Sequence, residues 1–204
     1  MPRTPEQNRI VKDKRKSKIT DKALKLFAEV GYGNISVDQI TKSVRCSHGL
    51  FYHYFDSMED IFVYLFKDFI INNNIMFPIN EALEIGGTNG LKLLTNHYSS
   101  ITNKSSLDFY ALKIALCLDE LDEVPNEVKK KMKDVDLKRA FLKLIEASQN
   151  EGNAIAGDVN QIAKAIFELI KVDVTKNMNT KGKKSIISGD IILEMLMKKP
   201  LSET

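Results

Sequence analysis

The 204-residue sequence predicts an all-α protein of about nine helices. Three observations carry that prediction. Apolar residues return at three- and four-residue steps in one segment after another, as one face of a helix requires. Serines able to cap a helix stand at Ser36, Ser47 and Ser57, each just ahead of such a segment. Glycines and prolines fall between segments, at Gly31, Gly33, Pro78, Gly86, Gly87, Pro125 and Gly152, where helices stop or start. With 43% hydrophobic and 28% charged residues the composition is that of a globular chain, neither disordered nor fibrous. The length suits one large domain or two small ones.

The chain opens on basic residues, and Arg9 to Lys18 reads RIVKDKRKSK with Asp13 as its single acid. Residues 1–14 are read as a basic N-terminal arm. A run of this size is a solvated helix end unless a DNA-reading element follows, in which case it becomes a phosphate-binding arm. Ile19, Ala23, Leu26, Phe27 and Val30 then form the stripe of a first helix, which Gly31 and Gly33 stop. Ser36 and Gln39 have the spacing of a capping box, in which the serine oxygen takes the amide of residue 39 and the glutamine reaches back. The short helix they start carries Val37, Ile40 and Val44 inward and ends at the Arg45–Cys46 turn. Ser47 caps a third helix, HGLFYHYF, and Ser57 a fourth, with acidic residues at its positive end.

A helix, a tight turn and a second short helix packed on a longer one make a helix-turn-helix, whose second helix enters the major groove of DNA. Phe51 and Phe55, four residues apart, anchor that helix to the core, while His48, Tyr52 and His53 project elsewhere. Tyrosine hydroxyls and imidazole nitrogens suit phosphates and base edges. The bland alternative is that all these aromatics pack a small subdomain.

The stretch ALKLFAEVGYGNISVDQITKSVRCSHGLFYHYFDSMEDIF resembles the N-terminal domain of tetracycline-repressor-like (TetR family) regulators, over roughly residues 15–66. Ala23, Leu26, Phe27, Gly31, Ile40, Ser47, Gly49, Tyr52, Phe55 and Glu59 share one spacing with that family. The resemblance implies a helix-turn-helix domain over 15–60, joined by the helix from residue 57 to a ligand-binding and dimerisation domain over 61–204. It implies a homodimer on palindromic double-stranded DNA, released by a small-molecule effector. The DNA-facing set it implies is Ser47, His48, Gly49, Leu50, Tyr52, His53 and Tyr54, with Ser36, Val37 and Gln39 from the preceding helix. Three positions depart from the family pattern: Arg45 replaces a turn glycine, Met58 a lysine and Val37 a threonine. Arg45 is expected to be strained in the turn and to reach a phosphate in place of the lysine missing at Met58.

Beyond Phe66 only periodicity speaks. It predicts a helix from Ser57 to about Phe77 ended by Pro78, a short piece from Ile79 to Ile85, and helices over Leu91–Ile101, Leu107–Leu121 and Val128–Ser148. Asp158 caps another reaching Lys176, and NMNTKGKK leads to a last one over Ser185–Lys198. The last two helices are apolar around most of their circumference, which requires cover on two sides. Ile162, Ile166, Leu169, Ile187, Ile191 and Met195 are therefore assigned to a contact with a second copy, the alternative being cover by the same chain. Phe69, Tyr98, Phe109, Tyr110, Cys117 and Phe141 are candidates for an effector pocket or simply for core.

No enzyme is expected. His48 and His53 are five apart, off the i, i+4 pair that binds zinc, and no phosphate loop or nucleophile elbow is present. No cofactor and no metal are expected. Two cysteines, an N-terminus without an apolar signal core, and a longest apolar run of only Ile61–Phe66 predict a cytoplasmic chain with no membrane partner. The remaining rival is a helical protein-interaction module whose helix-turn-helix no longer reads DNA.

Overall fold

A computed structural model describes residues 4–73, 75–102, 107–120, 124–132, 136–177 and 187–198. Among the described residues there are eleven α-helices and no strand, only an isolated bridge between Ala154 and Met197. The all-α reading holds, with more helices than the nine expected.

Helix α1 (Pro5–Val30) begins far earlier than its apolar stripe. Thr4 accepts from the Gln7 amide at 3.2 Å and Gln7 Oε1 accepts from the Thr4 amide at 3.0 Å, with Pro5 at the first helical position. The segment expected as a separate arm over 1–14 is thus, from Pro5 on, the first turns of α1; residues 1–3 lie outside the described residues. Only the later turns are buried, through Ile19, Ala23, Leu24 and Phe27.

Helices α2 (Val37–Val44) and α3 (His48–Tyr52) start at the predicted caps Ser36 and Ser47, and α4 (Met58–Leu65) at Ser57. Ile40, Phe51, Phe55, Ile61 and Phe62 close the N-terminal core against α1. Phe27 meets Phe62 edge-on at 5.1 Å between centroids, and Tyr32 covers both at 5.7 and 4.5 Å.

The helix predicted to run unbroken to Phe77 is instead α4 continued by wider π-type turns over Phe66–Asn73, followed by α5 (Met76–Ile85). Pro78 does not end a helix. It lies in the first turn of α5, where the amides have no intrahelical partner and a missing N–H costs nothing. Gly86 (φ 73°) closes α5 and α6 (Gly87–Thr102) follows at once. Gly90 lets these helices touch α9, since a Cβ there would sit 2.3 Å from the Ala82 carbonyl and 2.6 Å from Leu144.

Helix α7 (Leu107–Cys117) ends in a 3₁₀ turn over Leu118–Glu120; its predicted last residue, Leu121, lies outside the described residues. The single helix predicted over Val128–Ser148 is two, α8 (Asn126–Met132) and α9 (Leu137–Asn150), with 133–135 outside the described residues. Asp136 explains the restart: its backbone is non-helical and its carboxylate accepts from the Arg139 amide at 2.8 Å. Helix α10 (Val159–Asn177) starts after Asp158 as expected, and α11 (Gly189–Leu196) after Ser188. The predicted start of the last helix at Ser185 and Ile186 lies outside the described residues. α11 lies across α6 so closely that a Cβ on Gly189 would be 1.8 Å from the Thr95 carbonyl. Helices α5, α6, α9 and α10 pack in succession as a C-terminal bundle, and α7 joins it to α1.

Candidate nucleic-acid interface

The turn between α2 and α3 is made by Arg45 in the left-handed region, φ 56° and ψ 51°. Among the described residues no other non-glycine has positive φ. Its amide and that of Cys46 close the end of α2 on the Lys42 and Thr41 carbonyls. A side chain in this conformation costs roughly 1–2 kcal/mol relative to glycine. The sharp turn sets α3 against α1 and α2, with Phe51 fully buried and the opposite side open.

On that open side Tyr52 is 54% exposed, its ring edge-on to Phe51 at 5.4 Å. His53 is exposed beside it. Gly49 is bare helix surface: a Cβ there would meet only Ser47 Oγ, at 3.9 Å. His48 is also exposed but leans back to α2, its Nε2 3.4 Å from Asp38 Oδ1. Lys42 grips the same carboxylate at 2.7 Å, and its ammonium, with His48 helping, holds the Asp38 carboxyl below the usual carboxylate range.

The other expected contacts are differently placed. Ser36 and Gln39 are engaged with each other, the glutamine Oε1 accepting from the Ser36 amide at 2.7 Å. Ser47 Oγ accepts from the Leu50 amide at 3.2 Å. Val37 and Leu50 are half-buried against the core, as is Met58 where the family lysine was expected. Tyr54, expected to face DNA, follows the end of α3 and donates its hydroxyl to the Lys12 carbonyl of α1 at 3.2 Å. Lys16 turns inward over the Tyr64 ring, 3.9 Å from its centroid. Lys12, Lys14, Arg15 and Lys18 remain exposed along α1. The early start of α1 was missed by the sequence reading, although Thr4-Pro5-Glu6-Gln7 carries a capping signal.

The six pocket candidates do not converge. Tyr98 and Phe141 border a small apolar cavity of about 20 Å³ together with His97, Leu112 and Ile170. That is room for no more than a water molecule. Tyr98 also donates to the buried Asp173 of α10 at 2.7 Å. Cys117 lies elsewhere, in a cleft of about 310 Å³ between α1, α7 and α10. Burial, and then the Glu120 carboxylate, push its thiol up. Phe69 is half-buried against the core, and Phe109 and Tyr110 stack edge-on at 6.3 Å, half-buried themselves.

Of the residues assigned to a second copy, Ile166 is 4% exposed within its own bundle, because it shares a face of α10 with Ala163 and Ile170. Ile162, Leu169 and Ile187 are half-buried. Ile191 and Met195 on α11 are 45% and 51% exposed. Val172 on α10, not singled out in the sequence, is exposed as well. No group of three metal-ligating side chains occurs among the described residues, and no helix there is long and apolar enough to cross a membrane.

The chain has relatives among known proteins. Residues 19–65 match the family described as bacterial regulatory proteins, tetR family. The HTH-type negative transcriptional regulator IcaR of the biofilm operon icaADBC, from Staphylococcus aureus strain Newman, is 39% identical over 70 residues. The match spans 33% of this chain and 37% of that protein. The fold is similar to that of the ketosteroid transcriptional regulator KstR2 of Mycobacterium tuberculosis, with a TM-score of 0.67 at 17% identity over 91% of this chain and 96% of that one. It is similar too to a transcriptional regulator from Saccharomonospora viridis in complex with choline, with a TM-score of 0.60 at 16% identity over 92% and 99%. Residues 19–65 thus carry the N-terminal domain of the tetR family of bacterial regulatory proteins, and the all-helical fold built on them is similar to that of solved transcriptional regulators.

Proposed function

We propose that the chain is a transcriptional repressor that reads double-stranded DNA with α3, acting in the cytoplasm as a homodimer and released by a small molecule. The observation that carries this reading is the open side of α3. Tyr52, His53 and the bare Gly49 stand there in solvent, while the neighbouring Phe51 is wholly buried, so the short helix is fixed from behind and free in front. The cations along α1 supply the nonspecific attraction to phosphates. The matched relative IcaR, a negative regulator by name, supports repression over activation.

A homodimer is supported by apolar side chains left in solvent on α10 and α11, namely Val172, Ile191 and Met195. Reading two half-sites one helical turn apart, about 34–36 Å, needs two copies of α3. Under this reading residues up to about 60 form the reader and the rest the effector and dimer domain. The choline complex of a structural neighbour supports a small-molecule ligand for this chain too.

The test is a fluorescence anisotropy titration of the protein with duplex DNA flanking its own gene, at several salt concentrations, with light scattering on the same samples. Tight binding by a dimer, weakening steeply with salt, is expected. Absence of binding at low salt favours a helical protein-interaction module instead.

A further inference from the structure

The cleft of about 310 Å³ lies where the end of α1 meets the C-terminal bundle, and it is large enough for a small organic ligand. Phe27 and Val30 of α1 and Ile114 of α7 give it apolar walls, with Cys117 and Thr175 beside them. Its charged groups are unequally matched. Glu29 and Glu120 also border it, but each faces a lysine of its own, Lys25 at 3.7 Å and Lys171 at 2.5 Å. Lys113, half-buried on the cleft wall, has no carboxylate within ion-pair distance among the described residues. Its ammonium donates to the Ala28 carbonyl at 2.6 Å, one of the terminal carbonyls of α1 that the helix itself leaves unpaired. An ammonium has three N–H donors, so a neutral oxygen at one of them leaves the site short of negative charge.

We propose that this cleft binds a small carboxylate with an apolar tail, its carboxylate on Lys113 and its tail against Phe27, Val30 and Ile114. The carboxylate takes one of the two remaining N–H donors and, carrying a full charge, attracts the ammonium more strongly than the neutral carbonyl does, so the ligand draws Lys113 away from Ala28. The bond from Lys113 to Ala28 ties α7 to the helix that carries α2 and α3. Its loss frees the end of α1, and DNA affinity falls. This last step rests on the DNA-reading proposal above; the binding step does not.

The experiment uses octanoate as probe and octanamide as its uncharged counterpart on the full chain. Calorimetry should show octanoate binding at least tenfold tighter than octanamide, with the difference lost in Lys113→Met and kept in Lys113→Arg. Alkylation by iodoacetamide, read residue by residue by mass spectrometry at mildly alkaline pH, locates the site without any variant: octanoate should slow labelling of Cys117 severalfold and leave Cys46 unchanged. Equal affinity for the two probes, or octanoate binding that leaves Cys117 unshielded, overturns the site. Octanoate should also weaken DNA binding at least fivefold in the anisotropy assay; shielding of Cys117 with unchanged DNA affinity overturns the coupling. A protein that binds no DNA even without octanoate, yet shields Cys117 with it, refutes the DNA-reading proposal and leaves the carboxylate site standing.

Discussion

Tyr54, just past the end of α3, donates its hydroxyl to the backbone carbonyl of Lys12 on α1, across 3.2 Å and 42 residues of sequence. The bond falls in the early, largely unburied part of α1 and joins the exposed cations of that helix to the segment that follows α3. It ties the basic turns of α1 to the segment that leaves α3. Tyr54→Phe should therefore speed amide exchange in the first turns of α1 while leaving α2 protected, at a stability cost of about 0.5–1.5 kcal/mol or less, since the bond is exposed. Unchanged exchange in those turns shows that they are held by something else.

Arg45 offers a second test. Arg45→Gly relieves the left-handed backbone and should raise the melting temperature by an amount corresponding to roughly 1 kcal/mol. If the guanidinium meets a phosphate, the same change lowers the salt dependence of DNA binding by about 0.9 units of log K per log salt. A variant that melts lower contradicts the strain, and one with the wild-type slope contradicts the phosphate contact.

Gly49 separates folding from reading. Its helical position has open space where a Cβ would go, so Gly49→Ala should stabilise the fold by about 0.5–1 kcal/mol. DNA affinity should fall, because the methyl group stands on the side of α3 proposed to approach the bases. An alanine variant that is more stable and binds equally well places the DNA farther from this residue.

Glu151, just past the end of α9, caps α6, accepting from the Thr88 amide at 3.0 Å and the Thr88 hydroxyl at 2.6 Å. Those bonds hold its carboxyl below the usual carboxylate range. With the folded pKa beneath the unfolded one, the stabilisation is complete above the unfolded value and fades as pH falls through the folded value. Glu151→Gln should melt below the wild type at neutral pH, and the two should converge in acid. A gap that persists unchanged into acid assigns the difference to packing.

What the sequence disclosed follows from the range of the interactions involved. Ser36, Ser47 and Ser57 cap their helices as their spacing predicts, because a cap is decided within four residues. The burial of Phe51 and Phe55 was legible for the same reason, being a matter of helical phase. Ile166 shows the limit of that reasoning: phase says that a residue is on an apolar face, not which neighbour covers it. The effector candidates failed to converge because they were chosen by residue type, whereas a cavity depends on contacts far apart in sequence. The bond from Lys113 to Ala28 spans 85 residues and left no local trace. Asp136 and Pro78 were local signals of another sort, a cap read as helix interior and a first-turn proline read as a terminator.

The central claim is that the exposed side of α3 reads DNA, and Tyr52 tests it most directly, being 54% exposed with its ring only edge-on to the core. Tyr52→Ala and the wild type should be compared by anisotropy on the same duplex from beside the gene, with circular dichroism and melting recorded in parallel. The account predicts an affinity loss of about five- to a hundredfold, the range of about 1–3 kcal/mol for one lost contact, with helicity and melting temperature unchanged. Wild-type affinity in a fully folded Tyr52→Ala protein would contradict it.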